Sequence, residues 1–214
     1  MKGLGGGVAS VYGEISAAGF ARLGERLRLG PDDTFVDCGS GLGLVVEQAA
    51  VGFGVRRSFG IEYAGSRHAA ACARLEAGGG PASATSSIRL IQGDCADGSR
   101  WAAGTGELSA CTVVYICNVL FDDVLNARLK RCVEACPTVQ RVAAFRPWPD
   151  GLEGFDEPSV VQCETSWSSE NPAPVRAPPQ RLKLARPRLA DPSSTLCHSR
   201  VRSHPTHARE SSGG

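Results

Sequence analysis

Thr34-Phe35-Val36-Asp37-Cys38-Gly39-Ser40-Gly41-Leu42-Gly43 decides the reading of this chain. An apolar run predicts a strand, Thr34–Cys38, that carries an acid near its end and opens into glycines at alternate positions. Such a turn lets the backbone bend sharply and approach a ligand, because no Cβ intervenes. The stretch after it, Leu44 to Ala50, predicts a helix whose N-terminal amides face that ligand. A carboxylate ahead of the glycines is not what a phosphate needs. It suits a ligand carrying an ammonium group, as the methionine part of S-adenosylmethionine does, and so points to a methyl-transfer cofactor.

Alternation of strand and helix runs outward from this turn. A helix is expected over 15–29, ended by the turn Pro31-Asp32-Asp33. Further strands are expected over 57–62, 87–92, 112–117 and 141–145. Between them lie an alanine-rich helix over 66–76, closed by Gly78-Gly79-Gly80-Pro81, and a helix over 122–135 capped by Asp122 or Asp123. The fourth strand, Thr112–Cys117, is continuously apolar, as a strand covered on both faces should be. This order predicts an α/β fold with a parallel sheet wound on both faces. A last strand is expected within 159–167.

Composition divides the 214 residues into three segments. Residues 1–10 form a glycine-rich lead, 11–171 the folded domain, and 172–214 a tail. Seven of the thirteen prolines fall between Pro172 and Pro205, with no hydrophobic periodicity, so 172–214 is expected to be disordered. From Arg176 onward eight Lys/Arg stand against Asp191 and Glu210, a net of +6. The whole chain carries +1, so the rest carries −5. A basic tail on an acidic domain suits a polyanion such as DNA, bound without sequence preference. Nine cysteines, with no C-x-x-C pair, argue against a zinc site or a disulfide framework and for a reducing compartment. Cys197-His198, His204 and His207 fall in the tail and are not read as a metal site. No segment resembles a secretion signal or a membrane span, so a soluble intracellular protein is expected.

Other polar residues fall at the predicted carboxyl edge of the sheet, where ligands of open α/β sheets lie. Glu62 ends the second strand, and a carboxylate there can accept from two ribose hydroxyls. Nicotinamide enzymes use the same device, but their glycine spacing is G-x-G-x-x-G, and here the third glycine comes one residue early. Asp94, after Gly93, is placed to accept from an adenine amino group, or is an ordinary turn aspartate. Asn118 closes the fourth strand, where a methyl acceptor would arrive, or else caps the helix that follows.

Tyr12-Gly13-Glu14, the stretch Phe35 to Gly43, Gly60-Ile61-Glu62, Gly93-Asp94 and Asn118-Val119-Leu120-Phe121 occur in an order and spacing that resembles the disruptor-of-telomeric-silencing histone-lysine methyltransferases. The resemblance covers about residues 8–150, and more weakly 159–175. It implies the class I, seven-stranded, Rossmann-like S-adenosylmethionine-dependent methyltransferase fold, with its C-terminal strands expected to be incomplete. It also implies residue roles. Tyr12, Gly13 and Glu14 fold over the cofactor. Phe35, Asp37, Gly39, Ser40, Gly41 and Gly43 cradle its methionine end, Glu62 takes the ribose, and Asp94 with Cys95 takes the adenine. Asn118 lies beside the sulfonium and the incoming lysine. Arg146-Pro147-Trp148 matches a Lys-Pro-aromatic segment, and Ser166-Trp167 a late strand. Cys95 stands where an aromatic is usual, which removes a stacking face for the adenine.

The activity implied is methylation of a lysine on the globular core of histone H3 in the nucleosome, by a nuclear protein that needs no metal and no membrane. Two alternatives stay open. One is a methyltransferase with another protein, nucleic-acid or small-molecule substrate. The other is a catalytically inactive cofactor-binding chromatin module, favoured by the lack of aromatics in Val175-Arg176-Ala177-Pro178-Pro179-Gln180, where the family walls its lysine channel.

Overall fold

A computed structural model describes residues 14–78, 87–155, 159–165 and 181–185. Its centre is a seven-stranded sheet: β1 Thr34–Cys38, β2 Arg57–Glu62, β3 Ile88–Gln92, β4 Val113–Ile116, β5 Arg141–Ala144, β6 Ser159–Gln162 and β7 Arg181–Ala185. The spatial order is β3-β2-β1-β4-β5-β7-β6. β1 to β5 are parallel, and β7 enters antiparallel to both β5 and β6. The order reverses between β1 and β4, which pair directly, with Asp37 opposite Tyr115. The helices are α1 Ala17–Leu27, α2 Leu44–Phe53, α3 Gly65–Ala77, α4 Gly98–Trp101 and α5 Asp123–Ala135.

Two expectations need correction. The sheet is not incomplete, since β6 and β7 finish it. Nor is all of 172–214 without structure, since 181–185 forms β7. The reason lies in pairing: β7 takes backbone partners from β5 (Val142 opposite Ala185) and from β6 (Ser159 opposite Leu184). The rest of that segment lies outside the described residues, as do Ser166 and Trp167. The strand expected within 159–167 is β6, which closes at Gln162 and is followed by an isolated antiparallel bridge from Thr165 to Ile15.

Side-chain alternation along β1 divides the core between the two faces. Phe35 packs with Phe20, Leu23 and Leu27 of α1, Ala49 of α2, and Tyr115 and Phe145. Val36 and Cys38 pack on the other face, with Trp101 of α4, Leu129 and Val133 of α5, and Ile61. Every residue of β1 and β4 is buried. Local chemistry sets the helix starts. Ser16 Oγ accepts from Gly19 N–H at 2.9 Å before α1, and Asp122 Oδ1 accepts from Leu125 N–H at 2.7 Å before α5. These layers leave the carboxyl ends of β1, β2 and β4 to form one rim.

Candidate cofactor site

Behind β1 the backbone passes through Gly39, Gly41 and Gly43 with φ of 89°, 52° and 73°. Only glycine adopts these values without penalty, so the alternate spacing is a conformational requirement. The turn is fastened to β2: Gly39 and Ser40 N–H both donate to the Ile61 carbonyl, at 2.9 and 3.0 Å. At Gly60 a Cβ would stand 2.7 Å from Ser40 Oγ and 2.8 Å from Val46 Cγ2. Gly60→Ala should therefore cost about 1–3 kcal/mol by overpacking. A lower thermal midpoint checks this; an unchanged midpoint would mean that the turn yields freely.

Three carboxylates converge on this turn. Asp37 is 4% exposed, and its Oδ1 is a buried polar atom with no hydrogen-bond partner among the described residues. Burial pushes the Asp37 carboxyl well above its ordinary value, and the Glu62 and Glu14 carboxylates push it further. Burial also raises Glu14, against the pull of Arg74. An orphaned acceptor in surplus negative charge fits a cationic group bearing N–H donors. A phosphate would add to the repulsion. The residues present therefore fit the ammonium end of S-adenosylmethionine.

Glu62 is 3% exposed and heavily bonded. Its Oε2 accepts from Gly41 N–H at 2.9 Å. Its Oε1 accepts from Ala64 N–H at 2.8 Å and from Arg67 Nε and Nη2 at 3.1 and 2.7 Å. Ser40 is buried at the floor of the turn. Asp94 lies at the same rim, accepting from Ala96 N–H at 2.8 Å through Oδ1 and from Arg128 Nη2 at 2.7 Å through Oδ2.

The structure places two residues away from their expected positions. Phe35 is fully buried in the core, its ring stacked on Tyr115 with centroids 6.4 Å apart and edge-on to Phe20. It shares a face with Asp37 but sits two residues further from the rim. Cys95 is also a core residue, 7% exposed, whose thiol meets that of Cys38. The Cys38 thiol is unreactive, since that contact together with burial raises it well above the ordinary thiol value. Beside Asp37, the Cys117 thiol is pushed up to about 12 by burial and by the Asp37 carboxylate, and it stays protonated. Tyr12 and Gly13 lie outside the described residues.

Asn118, 1% exposed, clamps the end of β4 to the end of β5. Its Oδ1 accepts from Arg146 N–H at 2.7 Å, and its Nδ2 donates to the Arg146 carbonyl at 3.0 Å and to Asn126 Oδ1 at 2.8 Å. Asn126 Nδ2 in turn donates to the carbonyls of Phe121 and Asp122, each at 3.0 Å, and Trp148 Nε1 donates to the Asn126 carbonyl at 3.0 Å. Arg146 closes the set, bonding the Phe121 carbonyl at 2.8 Å and pairing with Asp123. The Phe121 ring leans on the glycine turn, 2.9 Å from where a Gly39 Cβ would be. Asn118 thus positions the loop over the turn. Both amide hydrogens are used, and one Oδ1 lone pair remains. The cap of the following helix is Asp122. Sequence reasoning missed Asn126 and Arg67, whose only signals are helical positions facing the rim. Among the described residues no group of His, Cys, Asp and Glu is arranged to hold a metal ion, and no helix is long and apolar enough to cross a membrane.

Comparison with known proteins accords with this geometry. Solved structures of similar fold include the methyltransferase domain of bacterial CtHen1, with a TM-score of 0.56 and 12% identity over 78% of this chain and 96% of that one. Another is an RNA methyltransferase from Salinibacter ruber, solved with S-adenosyl-L-homocysteine, with a TM-score of 0.53 and 19% identity over 81% of this chain and 93% of that one. At such identities the likeness establishes the methyltransferase-type Rossmann-like fold. Two curated relatives are the H3 lysine-79 specific histone-lysine N-methyltransferases of two strains of Cryptococcus neoformans var. neoformans serotype D. Each is 43% identical over 70 residues, which is 33% of this chain and 10% of the relative. The match thus spans about a tenth of those relatives. Residues 5–148, which hold the glycine turn, all three carboxylates and the Asn118 clamp, match the description Histone methylation protein DOT1, and the chain belongs to that family.

Proposed function

We propose that the chain binds S-adenosylmethionine and transfers its methyl group to a histone lysine, on the globular core of H3 in the nucleosome. The observation that carries this reading is the orphaned Asp37 Oδ1, buried among Glu62 and Glu14 behind the glycine turn. Asp37 takes the ammonium of the methionine end, the amides that open α2 take its carboxylate, and Glu62 and Asp94 face the ribose and the adenine. When bound, the cofactor supplies a methyl on a sulfonium, open to in-line attack by a neutral amine. The chain's own task is then to orient and desolvate. Asn118 holds the loop that roofs the site, and its spare Oδ1 lone pair is available to accept from a lysine amine. Family membership and the two fungal relatives support histone as the acceptor. The nuclear location and non-specific DNA contact through the basic tail belong to the same proposal, and the tail lies outside the described residues.

Radiolabelled S-adenosylmethionine offered in parallel to nucleosomes, free histones, RNA and DNA tests the acceptor. Label on H3 in nucleosomes, removed by substituting its core lysine, is the expected outcome. Label on RNA or DNA would assign the chain another substrate. Tight binding with label on nothing would make it an inactive cofactor-binding module.

A further inference from the structure

Glu62 carries more hydrogen bonds than a ribose-binding carboxylate can keep. A carboxylate offers about four lone-pair sites, two on each oxygen. Oε1 already receives three contacts, from Ala64 N–H and from Arg67 Nε and Nη2, while Oε2 receives one from Gly41 N–H. A vicinal diol gripped by both oxygens needs a free site on each. Oε2 has one and Oε1 has none.

The Gly41 and Ala64 amides are fixed in the backbone, one in the glycine turn and the other just ahead of α3. Arg67 differs, because it reaches Glu62 on a long side chain that is 42% exposed while the carboxylate is 4% exposed. Its charge also has a function in the free chain. Asp37 feels the Glu62 carboxylate as a like charge, and Arg67 supplies a neutralising partner on the accessible side. Asp94 presents a contrast. Its Oδ1 and Oδ2 accept one bond each, so an adenine amino group can be received while Arg128 stays in place.

We propose that Arg67 is a resident counter-ion of Glu62 that must swing away from Oε1 before a ribose can bind, and that it thereby lowers the chain's affinity for its cofactor. The proposal rests on the S-adenosylmethionine reading above. The exchange is feasible because the guanidinium, 42% exposed, moves into water, while the buried carboxylate keeps the Gly41 and Ala64 amides. It is selective as well. When the ligand's own positive charge enters beside Asp37 and Glu62, the need for Arg67 as neutraliser ends.

The test is calorimetric titration of the full chain, as wild type, Arg67→Ala and Arg67→Gln, with S-adenosylmethionine and separately with S-adenosylhomocysteine. Arg67→Ala should bind both ligands about three- to tenfold more tightly, the scale of an ion pair whose arginine alone is half-exposed. The gain should be larger for S-adenosylmethionine, whose sulfonium is repelled by the arginine. Arg67→Gln, which keeps hydrogen-bond donors without the charge, should fall between. Unchanged or weaker affinity in both variants, beside a wild type that binds, overturns the proposal, because the arginine then stands aside or holds the ligand. Failure of all three proteins to bind either ligand would overturn the cofactor reading itself and this proposal with it.

Discussion

Asp37→Asn is expected to abolish measurable S-adenosylmethionine binding and to stabilise the ligand-free chain. The two effects share one cause. Asp37 is buried with an unpartnered oxygen, next to two other carboxylates, so its charge is costly until a cation arrives. Asparagine keeps the shape and removes the charge. Removing one member of a buried charged pair typically costs about 3–5 kcal/mol, a loss in affinity of about two to three and a half orders of magnitude. The free chain should gain about 1 kcal/mol from relief of the uncompensated group. Titration calorimetry and thermal unfolding on the same samples check both signs. Wild-type affinity in Asp37→Asn would remove the cationic ligand from the site.

The same group makes a pH signature. Its folded value is raised above the ordinary 3.8, so the folded chain holds the proton more tightly than the unfolded chain does. Below the unfolded value Asp37 contributes nothing. As pH climbs from there through the folded value it becomes a growing penalty. Ligand-free stability should fall with rising pH across that window, while affinity for the cation rises. In Asp37→Asn most of this slope should vanish. A smaller slope of the same sign should remain from Glu14, which is also raised.

What sequence could reveal here was governed by how local each signal is. Alternate glycines after an apolar run specify a turn by themselves, and the positive φ values at Gly39, Gly41 and Gly43 agree. Glu62 and Asp94 were legible because strand ends in a parallel sheet share one edge. Phe35 was harder to place, because a motif read as a string ignores that each strand residue advances by about 3.3 Å. Two steps back from the rim, Phe35 meets α1 and Tyr115. Cys95 likewise follows an acid at the edge, yet its side chain turns inward to Cys38. β7 gave the weakest local signal, five residues between Pro178-Pro179 and Pro187. The alternation Arg181-Leu182-Lys183-Leu184 is too short to stand against proline-rich flanks, and its partners lie about twenty and forty residues away, at pairings no local pattern encodes. Arg67 was invisible for a related reason, since a fifth-neighbour contact from a strand end to a helix depends on the turn between them.

Asn118→Ala is expected to lower the stability of the chain by about 3 kcal/mol or more, and to weaken cofactor binding as well as turnover. The substitution removes three bonds from a side chain that is 1% exposed. It takes the Asn118 partner away from the Arg146 N–H, the Arg146 carbonyl and Asn126 Oδ1, and each stranded buried group costs about 1–3 kcal/mol. The consequences should reach the glycine turn. Asn126 and Arg146 hold the Phe121 carbonyl, and the Phe121 ring rests against Gly39. A loosened loop therefore unroofs the methionine end. A residue acting only on the lysine amine would behave differently, with thermal midpoint and cofactor affinity unchanged and kcat alone reduced. Thermal unfolding, calorimetry and a methyl-transfer assay on one preparation separate the two. Loss of kcat with an intact midpoint would assign Asn118 to the chemistry. Loss of all three assigns it to holding the site together, because the same amide cannot release Arg146 without opening the seam between β4 and β5 on which the rim is built.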